Sequence, residues 1–390
     1  MVDLFGDPQP APDMSYDNDM IDDAQSATPI EDIEDLTPRT NSKLIGHKDI
    51  EKDLIERIET NRMPHALILH GPKGIGKSTL AFRLARFLFD KTDNSGGLFD
   101  DGASDLPADS LAVDEKARAH RLVASGGHPD LLTIECAVDE KKGTKKASLD
   151  VEQIRKIAPF MRMKSNSPDG WRIVIVDDAD TMTLNAQNSL LKILEEPPKQ
   201  ALLILITHRI GAMIPTTRSR CQSIAMAPLR TDETKSVISL LNLDHTANDE
   251  ELFIDYCEGA PGLFANIIET AATECVQDFL DTLSLLPNLD PKMTHRFAES
   301  YGGYGKDKSF DLLQAYIKWI LRTMVKCKVR NEKLPFLIAQ HDGLQSLYKK
   351  HDHLELLKLH DKIDQLAKNA QIKALDKRNT LLKLFFLLQQ

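Results

Sequence analysis

The sequence predicts an α/β fold built on a parallel sheet, followed by a helical region. Short apolar runs alternate with helical patterns, which is the arrangement of a sheet with helices on both faces. A glycine-rich loop follows the first run, and strand signals end at Pro228. The five predicted strands are Ala66–Leu69, Leu131–Cys136, Arg172–Val176, Ala201–Ile206 and Ser223–Ala227.

The glycine-rich loop, residues 71–79, fits the phosphate-binding pattern G-x-x-x-x-G-K-[ST]. Glycines let backbone N–H groups turn inward, and the following helix adds the positive end of its dipole. An apolar strand before the loop and a helical pattern after it make a chance glycine-rich turn the weaker interpretation. We predict that it binds ATP through Gly71, Gly74, Gly76, Lys77, Ser78 and Thr79.

Acidic and polar residues follow two later strands, where the carboxyl ends of a parallel sheet form ligand sites. Asp177 is placed to hold Mg²⁺ together with Ser78. Asp178 is a candidate to polarise the attacking water, although it is shorter than glutamate. Thr207 is a candidate sensor of the terminal phosphate. The alternative is that the two aspartates cap a helix or lie on the surface.

Arg220 lies between Ser219 and Cys221, after the fourth strand. In this layout its position is away from the chain's own phosphate site. We therefore expect Arg220 to act as an arginine finger on a neighbouring subunit's nucleotide. A surface arginine in an ordinary turn is the alternative.

Composition limits the remaining classes of function. There is no run of 18 apolar residues and no basic leader followed by an apolar stretch, so we expect neither a membrane span nor a signal peptide. The five cysteines are scattered and odd in number, which favours a reducing, cytoplasmic setting.

The net charge of −10 is concentrated at the start of the chain. Residues 1–40 hold eleven acidic residues and one basic residue, Arg39, which accounts for all of it. Few large apolar residues occur there, so we expect a disordered tail that is dispensable for folding. The remaining 350 residues are neutral overall and leave a nucleic-acid partner open.

Several segments together resemble a family of bacterial clamp-loader subunits, the delta-prime subunits of DNA polymerase III. The resemblance covers about residues 42–265 by motif and the rest by architecture. The segments are Leu44–His47, Pro64–Pro72, Gly127–Asp130, Asn185–Pro198 and Ser219–Cys221.

The resemblance implies a P-loop AAA+ module with a five-stranded parallel sheet, a small helical lid and an all-helical collar domain. It places the acidic tail at 1–40, the AAA+ domain at 41–228, the lid at 229–272 and the collar at 273–390. It implies ATP-driven loading of a sliding clamp onto primed DNA, within a hetero-oligomer containing gamma/tau and delta subunits.

Two departures from the family pattern limit these expectations. Many members carry a four-cysteine zinc module, but residues 95–127 contain no cysteine, so we predict no zinc. Active members offer an arginine to the terminal phosphate from the lid, and the matching position here is Gly262. Weak ATP turnover by this chain is therefore expected, and an independently active P-loop ATPase remodelling DNA or protein is the alternative.

Overall fold

The computed structural model describes residues 37–94, 109–136, 138–139, 144–145, 148–167, 170–270, 273–373 and 376–390. Most of the predicted acidic tail, residues 1–36, lies outside this description. The described residues form one compact unit. None of the described helices is long and apolar enough to cross a bilayer.

The five predicted strands are confirmed, and every neighbouring pair is parallel. The order across the sheet is β2-β5-β6-β1-β7, which places β1 between β6 and β7. A separate two-stranded hairpin is formed by β3 and β4. The strands are β1 Ala66–His70, β2 Leu131–Ile134, β3 Val138–Asp139, β4 Thr144–Lys145, β5 Arg172–Val176, β6 Ala201–Thr207 and β7 Gln222–Ala225.

Helices cover both faces of the sheet, because its strands are apolar on both sides. In β1, Leu67 and Leu69 pack into one apolar cluster, while Ala66 and Ile68 pack into the other. The helices in this region are α1 Lys48–Glu59, α2 Lys77–Asn94, α3 Arg118–Ala124, α4 Val151–Arg155, α5 Ile157–Arg162, α6 Leu184–Glu195 and α7 Pro215–Arg218.

The described residues after β7 form helices only. They are α8 Thr231–Leu240, α9 Ala247–Phe253, α10 Pro261–Glu269, α11 Thr273–Leu283, α12 Pro291–Tyr301, α13 Asp307–Arg330, α14 Phe336–Gln340, α15 Asp342–Lys350, α16 His353–Lys373 and α17 Lys377–Gln389. One apolar cluster runs from Ile238 to Leu388. The core is therefore continuous across residue 272, and the division into lid and collar stays a prediction.

The ordered chain begins earlier than the sequence analysis expects. Arg39, from the predicted tail, lies over the ring of Phe82 with its guanidinium carbon 5.4 Å from the ring centroid. Arg86, which is fully buried in α2, donates to the carbonyls of Arg39 at 2.5 Å and Asn41 at 2.9 Å. Arg39 is thus part of the packed body, and the expectation of a dispensable tail remains for residues 1–36.

Candidate functional site

The phosphate loop connects the end of β1 to the start of α2, as the sequence predicts. Gly71 has a φ of 147°, and a Cβ at this position would lie 2.2 Å from the carbonyl oxygen of Met226. Only glycine fits such an approach. The loop therefore packs tightly against the chain that leaves β7, and its conformation is fixed by the sheet beneath it.

Lys77 is buried at the start of α2 and folds back into the loop. Its ammonium donates to the carbonyl of Gly71 at 2.8 Å and to that of Pro72 at 2.5 Å. Burial lowers the pKa of Lys77 to about 8, and the carboxylates of Asp177, Asp180 and Asp178 oppose this shift. The site thus holds the ammonium of Lys77 in a partly desolvated state.

Ser78 and Asp177 are in direct contact, although 99 residues separate them in the sequence. The Ser78 hydroxyl donates to Oδ2 of Asp177 at 2.9 Å. Oδ1 of Asp177 accepts from the backbone N–H of Asp178 at 2.9 Å. A hydroxyl and a carboxylate at this spacing are oxygen ligands of the kind Mg²⁺ prefers.

Asp178 and Thr207 lie at the same edge of the sheet, and each has its own hydrogen-bond partner. Oδ1 of Asp178 lies 2.7 Å from Nε2 of His208. Thr207 is fully buried, and its hydroxyl accepts from the backbone N–H of Arg209 at 3.2 Å. Parallel strands β5 and β6 bring their carboxyl ends together, which explains why residues so far apart in sequence meet.

Gly262, at the start of α10, contacts the loop through backbone atoms. Its N–H donates to the carbonyl of Gly74 at 2.9 Å. A Cβ on Gly262 would lie 2.8 Å from Cα of Gly74. Gly262 is the position that the sequence analysis matches to the lid arginine of active family members, and here the backbone of α10 is close to the loop.

Arg220 lies at the amino end of the sheet strands, whereas the loop lies at their carboxyl end. Ala225 at the end of β7 pairs with His70 just before the loop, whereas Arg220 precedes the start of β7. Its guanidinium contacts Oε1 of Glu195 at 2.8 Å and donates to the carbonyl of Thr216 at 3.0 Å. Arg220 is therefore held at the edge away from the chain's own phosphate loop.

Among the described residues, no three His, Cys, Asp or Glu side chains are grouped so that they could hold a metal ion. Part of the segment where the family's zinc module would lie, residues 95–108, is outside the description. The expectation of a zinc-free chain accordingly stays a prediction.

Comparison with known proteins gives one consistent answer for this region. A sequence model of the family described as "DNA polymerase III, delta subunit" matches residues 46–230. Over 157 residues the chain is 34% identical to "DNA polymerase III subunit delta'" of Pseudomonas aeruginosa, which covers 40% of this chain and 41% of the relative. For the protein of the same name from Bacillus subtilis, identity is 33% over 181 residues, covering 46% and 47%.

Residues 46–230 belong to the delta-prime family of clamp-loader subunits. The chain spans less than half the length of these curated delta-prime relatives. Among solved structures, a "gamma subunit-related protein" of Thermotoga maritima aligns with 88% of this chain and 99% of its own, at 15% identity and a TM-score of 0.40.

Three contacts near the phosphate loop and the end of β5 were missed by sequence reasoning. They are the bond of His208 to Asp178, the backbone contact of Gly262 with Gly74, and a bond of 3.0 Å between Nε2 of His47 and the carbonyl of Ile75. No residue spacing in the sequence indicates these contacts, because each contact joins residues from different elements. The glycine at 262 was noticed only as a missing side chain.

Proposed function

We propose that the chain is an ATP-binding subunit of a clamp-loading assembly, which helps to place a sliding clamp on primed DNA. The observation that carries this proposal is the placement of two groups on opposite edges of one sheet. Lys77, Ser78 and Asp177 meet at the carboxyl edge, while Arg220 lies before β7 at the other edge.

The residues at the carboxyl edge fit a nucleotide with its magnesium ion. The glycine loop leaves the space that a Cβ would fill, and Lys77 supplies a buried cation. Ser78 and Asp177 supply oxygen ligands. A bound Mg·ATP would supply the phosphoanhydride bond, and Ser78 and Asp177 would hold its metal ion. Lys77 would exchange its two loop carbonyls for phosphate oxygens.

Turnover at this site is proposed to be slow. Asp178 has one methylene fewer than glutamate and is bound to His208, and Gly262 offers no side chain to a phosphate. These features favour a subunit that binds ATP over a motor that hydrolyses it. The complete loop supports the second candidate, an independently active P-loop ATPase of the gamma/tau kind.

Arg220 is proposed to act in trans as an arginine finger. A guanidinium offers a rigid fork of donors and stays charged at every physiological pH, which suits phosphate oxygens. Its contacts with Glu195 and Thr216 hold the side chain while part of it remains exposed. Because it is remote from the chain's own loop, its target is a nucleotide on a neighbouring subunit.

The proposed partners are the gamma/tau and delta subunits, the clamp and primed DNA, in the cytoplasm. The named delta-prime relatives support this choice of assembly. A hetero-oligomer would also explain why a finger and a nucleotide site are carried on opposite edges of one chain.

The test is reconstitution of the chain with the loader subunits of its own source. Parent and Arg220→Ala chains are compared for assembly, ATP binding by the isolated chain, and ATPase stimulated by clamp and DNA. We expect intact assembly, unchanged ATP binding and reduced stimulated ATPase. A finger is worth roughly 10³–10⁵ at the site it serves, and the loss over several sites is smaller.

Arg218→Ala is the matched control, since this exposed arginine precedes Arg220 by two residues. A double variant tests whether Arg218 replaces Arg220. Parent-rate ATPase and clamp loading by assembled Arg220→Ala complexes, alone and with Arg218→Ala, would refute the finger. Failure of the parent chain to assemble with loader subunits would refute the function itself.

A further inference from the structure

A set of side-chain bonds connects the ends of β5 and β6, and we call it the aspartate clasp. It joins residues 178–180 to residues 207–209. The backbone N–H of His208 donates to Oδ1 of Asp180 at 3.1 Å, and Nε of Arg209 donates to Oδ2 of Asp180 at 3.2 Å. The ring of His208 contacts Oδ1 of Asp178 at 2.7 Å. The clasp therefore bonds Asp178 and Asp180 to the segment that follows β6.

The ring of His208 has a defined role in this clasp. A carboxylate accepts hydrogen bonds, so Nε2 of His208 must carry the proton that is donated to Asp178. Its Nδ1 is buried and has no hydrogen-bond partner among the described residues. The clasp accordingly selects the Nε2–H tautomer of His208.

Asp178 is held by its backbone as well as by its side chain. Its φ of 51° and ψ of 40° are left-handed, and its N–H is bonded to Asp177. A non-glycine residue in this region is uncommon and is kept there by its surroundings. The backbone conformation and the bond to His208 together orient the carboxylate toward the His208 ring.

We propose that His208 is a positioning residue that restrains Asp178 and so makes this a site of ATP binding with little turnover. The inference rests on the proposed nucleotide function. In hydrolysis the oxygen of a water bonds to the terminal phosphorus, the bond to the ADP oxygen breaks, and a base takes the water's proton. A carboxylate oxygen that accepts a hydrogen bond from His208 is directed to that donor and is misplaced for taking the water's proton.

The clasp is tested first without nucleotide, by NMR of the ¹⁵N-labelled histidine rings of the full chain. The His208 ring, assigned by its loss in His208→Gln, should be the Nε2–H tautomer, and its Nε2 signal should shift in Asp178→Ala. An Nδ1–H ring, or one unaffected by Asp178→Ala, would overturn the restraint whatever the chain does with ATP.

The second test is single-turnover ATP hydrolysis by the full chain, with ATP affinity measured in parallel. His208→Ala should raise the hydrolysis rate constant roughly tenfold, part of the 10²–10⁴ that a general base can give, with unchanged affinity. His208→Gln retains a donor and should stay near the parent. The gain should vanish in His208→Ala/Asp178→Asn, which a merely structural effect would not produce.

His245→Ala is the matched control, because His245 also bonds a carboxylate, Glu250, at 3.1 Å, but outside the site. His208→Leu replaces the alanine variant if that one does not fold. If the parent binds ATP and loss of His208 gives no gain, or a gain that persists without Asp178, the restraint alone is wrong. If the parent binds no ATP, the proposed nucleotide function fails, while the NMR result still decides whether His208 holds Asp178.

Discussion

The charge of Lys77 is the residue-scale feature on which the proposed nucleotide binding depends. Burial lowers its pKa to about 8, and the three nearby aspartates only partly compensate. Two loop carbonyls are its hydrogen-bond acceptors. Phosphate oxygens carry full charge and would stabilise the ammonium more than neutral carbonyls do.

We expect Lys77→Ala to weaken ATP binding roughly ten- to a hundredfold. The change removes a charge-assisted contact of about 1.5–3 kcal/mol. Titration calorimetry with Mg·ATP measures it, and Lys73→Ala, an exposed lysine of the same loop, serves as the control. Equal affinity of parent and Lys77→Ala, with equal melting temperatures, would show that the loop is not the nucleotide site.

Two histidines with opposite pKa shifts make stability depend on pH. Burial lowers the pKa of His128, which stacks on Phe89 and whose Nδ1 accepts from the backbone N–H of Asp130. For His245, burial is the largest single influence and acts in the same direction. The hydrogen bonds to Glu250 and to the carbonyl of Leu243, with the charges of Glu250 and Asp249, together outweigh it, so the pKa is raised.

The signs follow from proton uptake by the folded and unfolded chains. Below the ordinary value of 6.5 and down to its lowered pKa, the unfolded chain binds more protons at His128, so its stabilisation is lost on acidification. At His245 the folded chain binds more protons above 6.5, so its stabilisation is complete in acid and is lost as the pH rises through the raised pKa.

Chemical unfolding at about pH 7.5 and about pH 5.5 separates the two effects. The parent's fall in unfolding free energy on acidification should be smaller in His128→Asn, which keeps an acceptor near the place of Nδ1. It should be larger in His245→Asn. Parallel pH profiles for both variants and the parent would contradict the assignment.

At the scale of elements, the contact of α10 with the phosphate loop depends on two glycines. Gly262→Ala would place a Cβ 2.8 Å from Cα of Gly74, closer than carbon atoms approach without a backbone shift. We expect it to lower the free energy of unfolding by about 1–3 kcal/mol, as overpacking does.

Gly211→Ala is the control for this change, since a Cβ there has no atom within 4 Å. It should be neutral or stabilise by about 0.4–1 kcal/mol through the unfolded chain. Denaturant titration compares them. Equal stability of the two variants would mean that α10 does not pack on the loop in solution.

The sheet could be predicted because its strands are apolar on both faces and the loop has a fixed spacing. Both signals are local in the sequence, as in Arg172–Val176 followed by Asp177. The bond of His208 to Asp178 could not be predicted, because nothing in one strand specifies which residue of the next strand lies beside it. The roles assigned to Asp178, Thr207 and Arg220 remain predictions.

The start of the packed body could not be read from composition either. Arg39 stands in an acidic, proline-containing segment. The carbonyls of Arg39 and Asn41 accept from Arg86, and the Arg39 guanidinium lies over Phe82, which shows that both residues pack on the body. The backbone carbonyls that satisfy a buried charge have no sequence signature, since every residue carries one.

At the scale of the whole molecule, the contacts of Arg39 and Asn41 with Arg86 predict where truncation begins to lower stability. Removing residues 1–36 should leave the melting temperature nearly unchanged. Removing residues 1–41 also strips two carbonyl acceptors from the buried guanidinium of Arg86. That should cost about 2–5 kcal/mol, because the charge is left without those partners.

Differential scanning calorimetry of the two truncated chains measures the difference. The same two truncations are then made in Arg86→Met. Because this variant has no buried charge at position 86, removal of residues 37–41 should lower its melting temperature less than it does with Arg86. Equal melting of both truncations would show that the carbonyls of Arg39 and Asn41 contribute nothing.

The position of β1 between β6 and β7 has a consequence for folding during synthesis on the ribosome. The phosphate-loop strand ends at His70, yet its neighbours end at Thr207 and Ala225. At elongation rates of about 5–20 residues per second the chain needs roughly 10–30 s to make the residues in between. During that interval β1 has both edges unpaired, so the strand that leads into the phosphate loop stays open to aggregation until β6 and β7 are made.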